Sequence, residues 1–157
     1  MALPTPSNYI GPTRIFPKNA EFHSQLVYIT DAGREEEDGY SFYFKHKKDW
    51  KGKLPESMTD AIYAFYLANT IRDLRGDQRE HRSMLINISR FVKVQKYIKE
   101  VVEKIHAEAY RSLKYNLCSD FELSMKDPVL NRIYKVWQTQ YELSLIHISE
   151  PTRPERI

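Results

Sequence analysis

The longest regular pattern in the chain is a run of apolar residues that recurs every three or four positions. These residues are Phe91, Val94, Ile98, Val101, Val102, Ile105, Ala109 and Leu113, and lysines and glutamates fill most of the positions between them. Such spacing brings side chains onto one face of an α-helix. The sequence therefore predicts an amphipathic helix from about Phe91 to Leu117, whose apolar face needs a partner.

Two further helices are predicted, one on each side of this segment. Pro55 suits the first turn of a helix, and Gly76 stands where a helix commonly stops, so the first is predicted over about 55–75. Its middle carries little polar surface, which indicates burial on more than one face. The second begins near Pro128, after an irregular stretch at 118–127 that is predicted to be a loop.

Three short segments have the composition of β-strands. Segments 25–30 and 40–45 are rich in β-branched and aromatic residues, and they are predicted to pair as a β-hairpin. The apolar run within 83–89 is long enough for a buried strand and too short for a separate helix. The order of these elements predicts an α/β fold in which a central strand is flanked by long helices.

The first twenty residues and the overall composition limit the class of protein. Prolines at positions 4, 6, 12 and 17 prevent a continuous helix, so residues 1–20 are predicted to form a connector. The longest apolar run, 61–68, is far shorter than the roughly 18 residues that indicate a membrane-spanning helix. The single cysteine excludes an internal disulfide and suits a reducing compartment. We therefore expect a cytoplasmic protein without a membrane segment.

The charge is unevenly distributed, although the net charge of +3 does not by itself indicate a nucleic-acid partner. Segment 45–53 holds five lysines around a tryptophan. Lysines can follow a phosphate backbone, and an aromatic ring can stack on an unpaired base. A solvated loop anchored by its tryptophan is the alternative. The candidates for nucleic-acid binding are Lys47, Lys48, Trp50 and Lys51, with Tyr40 and Tyr43 as further stacking residues.

A second candidate site lies between the predicted central strand and the long helix. Open α/β sheets bind ligands beyond the carboxyl ends of their strands, and the start of a helix presents unpaired N–H groups. Ser89 is placed to cap the helix and Arg90 follows it, so both are predicted to contact a nucleic-acid phosphate. Ordinary capping is the alternative for Ser89. His81 precedes the strand and is expected to lie at its other end.

The sequence contains no set of residues that identifies a reaction. A metal-dependent nuclease needs closely placed carboxylates, whereas Glu100, Glu103 and Lys104 fit the solvated side of a helix. His106 and Glu108 lack the second histidine of a zinc-binding helix, and no Gly-rich phosphate loop occurs. The catalytic residues therefore stay unknown, and no metal site and no cofactor site is assigned.

Three blocks of the sequence resemble, in their order, the Z1 (Z-one) domain of bacterial proteins classed as endonucleases. The blocks are 6–12 (PSNYIGP), 54–57 (LPES) through 74–76 (LRG), and 81–91 (HRSMLINISRF). The resemblance covers roughly residues 4–142 and makes His81 and Ser83 candidates as family-motif residues. It also implies a neighbouring superfamily-two helicase-like ATPase, so the predicted α/β layer is similar to an incomplete helicase lobe.

Residues 143–157 have a different origin in our interpretation. Positions 143–153 (LSLIHISEPTR) resemble the translation of a transposase-type sequencing adapter, and such a match over eleven successive residues is hard to obtain by accident. The tail is therefore predicted to be non-native and is set aside; a natural strand at 145–148 is the alternative. In the resembled family block 6–12 lies well inside the chain. Residues 21–142 are thus expected to be a partial Z1 domain within a longer protein.

Two functions follow as hypotheses. The resemblance implies an internal fragment of a DNA-acting endonuclease from a bacterial restriction or phage-defence system, inactive alone. The complete protein would then use ATP and a divalent metal, with partner proteins from the same operon. The alternative is a noncatalytic module that binds DNA or a protein, which the basic, aromatic segment and the lack of a carboxylate cluster favour.

Overall fold

A computed structural model describes residues 11–29, 31–32, 46–79 and 81–142, and the chain forms two compact units, Met1–Thr30 and Asp31–Ile157. In the first unit, Pro12 starts the one-turn helix α1 (Pro12–Ile15), and a 3₁₀ turn follows at His23–Gln25. The Arg14 guanidinium donates to Glu21 at 3.0 Å and lies 4.9 Å from the centre of the Phe22 ring. These contacts close the segment into a compact loop.

The second unit is built from helices. Its elements are α2 (Glu56–Leu74), α3 (Val92–Tyr115), the one-turn helix α4 (Phe121–Ser124), α5 (Pro128–Trp137) and a π-helical turn at Gln138–Glu142. The three predicted helices are confirmed to within a few residues, and α4 lies in the stretch predicted to be a loop. Within the described ranges, no helix combines the length and apolar composition that crossing a membrane requires.

The ends of α2 are fixed by local chemistry. Pro55 precedes its first residue, and the Asp31 carboxylate accepts hydrogen bonds from the Ser57 backbone N–H at 2.8 Å and from its hydroxyl at 2.6 Å. At the other end Gly76 has a φ of 83°, which glycine adopts without a steric penalty. The Asp77 N–H then donates to the carbonyl of Arg72 at 3.0 Å and ends the helix.

Two clusters of buried side chains hold the helices together. Leu54 and Met58 pack with Val94 and Ile98, so the start of α2 contacts the first half of α3. Further along α2 the second cluster joins that helix to the second half of α3 and to α5, through Tyr63, Ala109 and Val136. Helix α2 is therefore covered on more than one face, as its apolar middle predicts.

Polar contacts add to the packing of α5 on α2. The Arg132 guanidinium donates to Asp60 at 2.7 Å and to the carbonyl of Glu56 at 2.8 Å. The Tyr141 hydroxyl, beyond the end of α5, donates to the carbonyl of Ala64 at 2.8 Å. Helix α5 is thus fixed along the first half of α2.

The predicted α/β fold is wrong, and with it the helicase-lobe-like layer, because the described residues form helices and include no strand or sheet. Segment 83–89, predicted to be a buried central strand, is irregular, and Leu85 is 89% exposed. Only Ile86 and Ile88 of its apolar residues pack on the first cluster. Since α3 and α5 already cover α2, the core needs no sheet.

The first strand of the predicted hairpin is not a strand at residues 25–29, which the structure describes. Gln25 belongs to the 3₁₀ turn, and residues 26–29 are irregular, with Val27, Tyr28 and Ile29 exposed. The second predicted strand, 40–45, lies outside the described residues. The β-branched and aromatic composition of residues 25–29 therefore did not specify a strand.

The cap of α5 yields a stability prediction. Asp127 accepts hydrogen bonds from the backbone N–H groups of Val129 and Leu130 at 2.9 and 3.2 Å. Asp127→Ala removes this acceptor and should lower the free energy of unfolding by about 1 kcal/mol in urea titrations. Asp127→Asn keeps an acceptor and should stay within about 0.5 kcal/mol of the wild type. An equal loss in both variants would contradict the cap.

The same cap predicts a pH dependence. Burial raises the pKa of Asp127, but hydrogen bonds from Leu130, Ser112 and other neighbours outweigh it and hold the pKa below its usual value of 3.8. The pKa of Asp31 is lowered in the same way by Ser57. A lowered folded-state pKa contributes stability above the unfolded-state value, which is lost as the pH falls through the folded-state value. We expect the free energy of unfolding to decrease below about pH 4, and less so in an Asp31→Asn, Asp127→Asn double variant.

Candidate nucleic-acid interface

One hydrogen bond brings together the two sites that the sequence placed separately. The Nε2 atom of His46 lies 2.8 Å from the Oγ atom of Ser89, across 43 positions of the chain. The His46 ring also lies 6.1 Å from the Phe91 ring, edge-on, and 6.0 Å from the Trp50 ring. Segment 46–53 is thereby fixed beside the start of α3.

Trp50 supports this segment from within. A side chain at Gly52 would place its Cβ atom 2.7 Å from the indole ring of Trp50, so the ring lies directly over this glycine. Tyr97 of α3 packs edge-on against the same ring at 5.9 Å, and its hydroxyl donates to the carbonyl of Gly52 at 3.1 Å. The indole also packs against the first core cluster. Trp50 is therefore an anchor, which matches the alternative interpretation of the sequence.

Ser89 is a buried residue that fixes the turn into α3. Only 6% of it is exposed, and its Oγ accepts a hydrogen bond from the Phe91 N–H at 3.0 Å. Its carbonyl accepts from the Gln95 side chain at 2.6 Å. The residue at the N-cap position of α3 is Phe91, and no side chain caps this helix. Ser89 therefore holds His46 and the chain in place, and burial leaves it little surface for a ligand.

The charged candidates are neighbours of these aromatic residues in the sequence, and their side chains are exposed. Lys47, Lys48 and Lys51 are exposed, and a backbone hydrogen bond of 3.2 Å from the Trp50 N–H to the carbonyl of Lys47 closes their turn. Arg90 is exposed as well, and its guanidinium lies 5.0 Å from the centre of the Phe91 ring. We call segment 46–53 together with Arg90 the basic surface. The other predicted stacking residues, Tyr40 and Tyr43, lie outside the described residues.

The family-motif candidates lie elsewhere. His81 and Ser83 are exposed on either side of Arg82, whose guanidinium donates to Asp73 at 2.6 Å and to the carbonyl of Asn69 at 3.2 Å. The hydrogen bond from Arg82 lowers the pKa of Asp73. Met58, at the start of α2, packs in the first cluster. At a rise of about 1.5 Å per residue, Asp73 lies about 22 Å further along the helix. His81 and Ser83 are therefore at the other end of α2 from the basic surface.

The sequence analysis did not predict two contacts, those of Arg82 with Asp73 and of His46 with Ser89. Arg82 lies between the two residues singled out there, and acidic residues near the end of α2 were the available signal for its role. His46 was noted only as part of a lysine-rich run, and nothing in the sequence links it to Ser89. Pairings over such a distance follow from packing of the whole unit.

The described residues hold no group of three or more His, Cys, Asp or Glu side chains arranged for a metal ion. Glu103 pairs with Lys99 on the exposed side of α3 at 3.6 Å, as expected for helix support. His106 Nδ1 lies 3.0 Å from the Tyr66 hydroxyl on α2. The exposed lysines and Arg90 of the basic surface are groups that can bind a polyanion through charge.

The contact between Gly52 and Trp50 can be tested directly. Gly52→Ala should lower the free energy of unfolding by about 1–3 kcal/mol, because the added methyl group displaces a rigid ring. It should also alter the near-ultraviolet circular dichroism of the tryptophans. Gly76→Ala is a matched control, since the added methyl group meets open space there and alanine is disfavoured only by the left-handed backbone. A stable Gly52→Ala variant with an unchanged spectrum would contradict the packing.

Comparison with known proteins places the helical unit in a family. The family model described as the Z1 domain matches residues 57–155. No curated protein and no solved structure matches the chain. The matched residues include α2, α3, α5, Ser89 and Arg90, while segment 46–53 precedes them. The match also continues past Glu142 into 143–155, and the adapter origin of that tail stays a prediction. Because the match spans more than half of the sequence, the chain belongs to the Z1 domain family.

Proposed function

We propose that this chain is a DNA-binding part of a Z1-domain protein that acts on DNA, and that the basic surface binds the DNA backbone. The observation that carries the proposal is the hydrogen bond between His46 and Ser89. Lys47 follows His46 in the sequence and Arg90 follows Ser89, so this hydrogen bond brings positive charge from two separate parts of the chain into one neighbourhood.

The arrangement suits a phosphate backbone for two physical reasons. Exposed lysines release the counterions of DNA on binding, which is the main source of affinity that does not depend on base sequence. Their backbone is held by contacts of Trp50, Tyr97 and Ser89, so little order has to be gained on binding. Asp49 is the one acidic residue in segment 46–53. The surface is thus positive and preorganised.

The whole protein is proposed to be an endonuclease of a bacterial restriction or phage-defence system that works in the cytoplasm. The resemblance of blocks 6–12, 54–76 and 81–91 supports this class. ATP and a divalent metal belong to that larger protein in the proposal, as do partner proteins from the same operon. To this part of the chain we assign binding of DNA, and no catalytic residue.

A second candidate function is protein interaction, which one groove favours. An open apolar groove of about 480 Å³ lies between the end of α3 and α5. Leu113 and Leu117 line it and are exposed, and Trp137 and Ile133 form its other side. If the chain binds no DNA but loses a protein partner on Leu117→Glu substitution, the noncatalytic interaction module is the better assignment.

The DNA-binding proposal predicts how affinity depends on salt. A Lys47→Gln, Lys48→Gln, Lys51→Gln triple variant should weaken binding, and it should reduce the slope of log K against log salt by about 2.7 if each lysine contacts one phosphate. Fluorescence anisotropy with labelled DNA at several salt concentrations measures both quantities.

The matched control for this experiment replaces three exposed lysines elsewhere, Lys104, Lys114 and Lys126, by glutamine. It changes the net charge equally and leaves the basic surface intact. We expect a small, uniform loss of affinity in the control. Equal slopes in the triple variant and the wild type would overturn the proposal.

A further inference from the structure

Resting on the proposed DNA-binding function, we propose that the basic surface recognises double-stranded DNA by its phosphates, with Arg90 as a fixed phosphate-binding group and the aromatic rings as internal support. This proposal specifies the substrate class of the surface. It differs from the single-strand binding by base stacking that the sequence indicated for Trp50.

The position of Trp50 argues against stacking on bases. Its ring lies directly over Gly52, Tyr97 meets it edge-on, and it packs on the first core cluster. A base could stack on the face of the ring that covers Gly52 only after this contact was lost. Because stacking contributes about 1–3 kcal/mol per base in proteins that bind single strands, a surface without it loses much of its affinity for a single strand.

Arg90 is oriented by its neighbour. Its guanidinium lies over the Phe91 ring at 5.0 Å, and Phe91 is itself held by His46 and by the first core cluster. Among the described residues Arg90 makes no hydrogen bond, and it faces solvent. A guanidinium held over a ring can still present two N–H groups to one phosphate. Lysine cannot reproduce this geometry.

The exposed lysines favour a duplex for a general reason. Double-stranded DNA carries about one charge per 1.7 Å of axis and releases more counterions per contact than a single strand, with slopes of about −0.9 against −0.7 per phosphate. Lys47, Lys48 and Lys51 can contact phosphates without any separation of the bases. A surface that offers only charge and a guanidinium therefore binds the duplex more tightly.

The test compares a labelled duplex with a labelled single strand of the same length and sequence, using the whole chain. We expect tighter binding of the duplex. Arg90→Lys should weaken duplex binding about tenfold, which corresponds to one lost hydrogen bond to a charged group, and Arg90→Gln should weaken it at least as much. Phe91→Leu keeps an apolar side chain in the core but removes the ring, so it should give a smaller loss with an unchanged salt slope.

A tryptophan signal distinguishes the two modes of binding. In a Trp137→Phe background, which leaves Trp50 as the only tryptophan, duplex binding should leave the fluorescence nearly unchanged. Tighter binding of the single strand with quenched Trp50 fluorescence would overturn this inference and leave the DNA-binding proposal in place. Wild-type affinity of Arg90→Lys would overturn the role of Arg90. If neither form of DNA binds, the proposed function fails as well.

Discussion

Covering the apolar middle of α2 is the constraint on which the second unit depends. Met58 and Tyr63 lie on α2 in two different clusters, and α3 is long enough to contribute to both. Helix α5 completes the second cluster and is fixed by Arg132. A buried Val94 on α3 then sets where that helix begins to pack. Phe91 and Tyr97 lie on either side of Val94 in the sequence and contact His46 and Trp50. The packing of Val94 therefore sets the position of the basic surface.

The surface shows how a loop gains a defined shape without regular structure of its own. Segment 46–53 contains no helix or strand. Its position is fixed by the contact of His46 with Ser89 and by the contacts of Trp50 and Gly52 with Tyr97 of α3. Each contact involves an aromatic side chain or a buried residue, while Lys47, Lys48 and Lys51 of the same segment face solvent. The rigid helix thus positions a loop that carries the binding groups, a common division in proteins.

The helices could be predicted from the sequence because their signals are local. The spacing of apolar residues by three and four predicts α3. Pro55 and Gly76 predict the ends of α2, and Pro128 predicts the start of α5, all close to the observed bounds. Segment 83–89 could not be predicted, because a short apolar run is consistent with a buried strand and with a surface segment that buries two residues, and packing elsewhere decides between them. The lysines were found as candidates from their clustered charge, and Arg90 from its place at the start of the predicted helix. The hydrogen bond between His46 and Ser89, which links the two segments, could not be predicted because it depends on the tertiary structure.

The order of segments along the chain has a consequence for how such a surface can diversify. Most of the basic surface comes from segment 46–53, which precedes the residues that the family model matches, whereas Arg90 lies within them. A change in the preceding segment would alter the pattern of charge without disturbing either core cluster beyond Trp50. Exchange of this one short segment can therefore change the ligand preference while the helices and Arg90 stay in place.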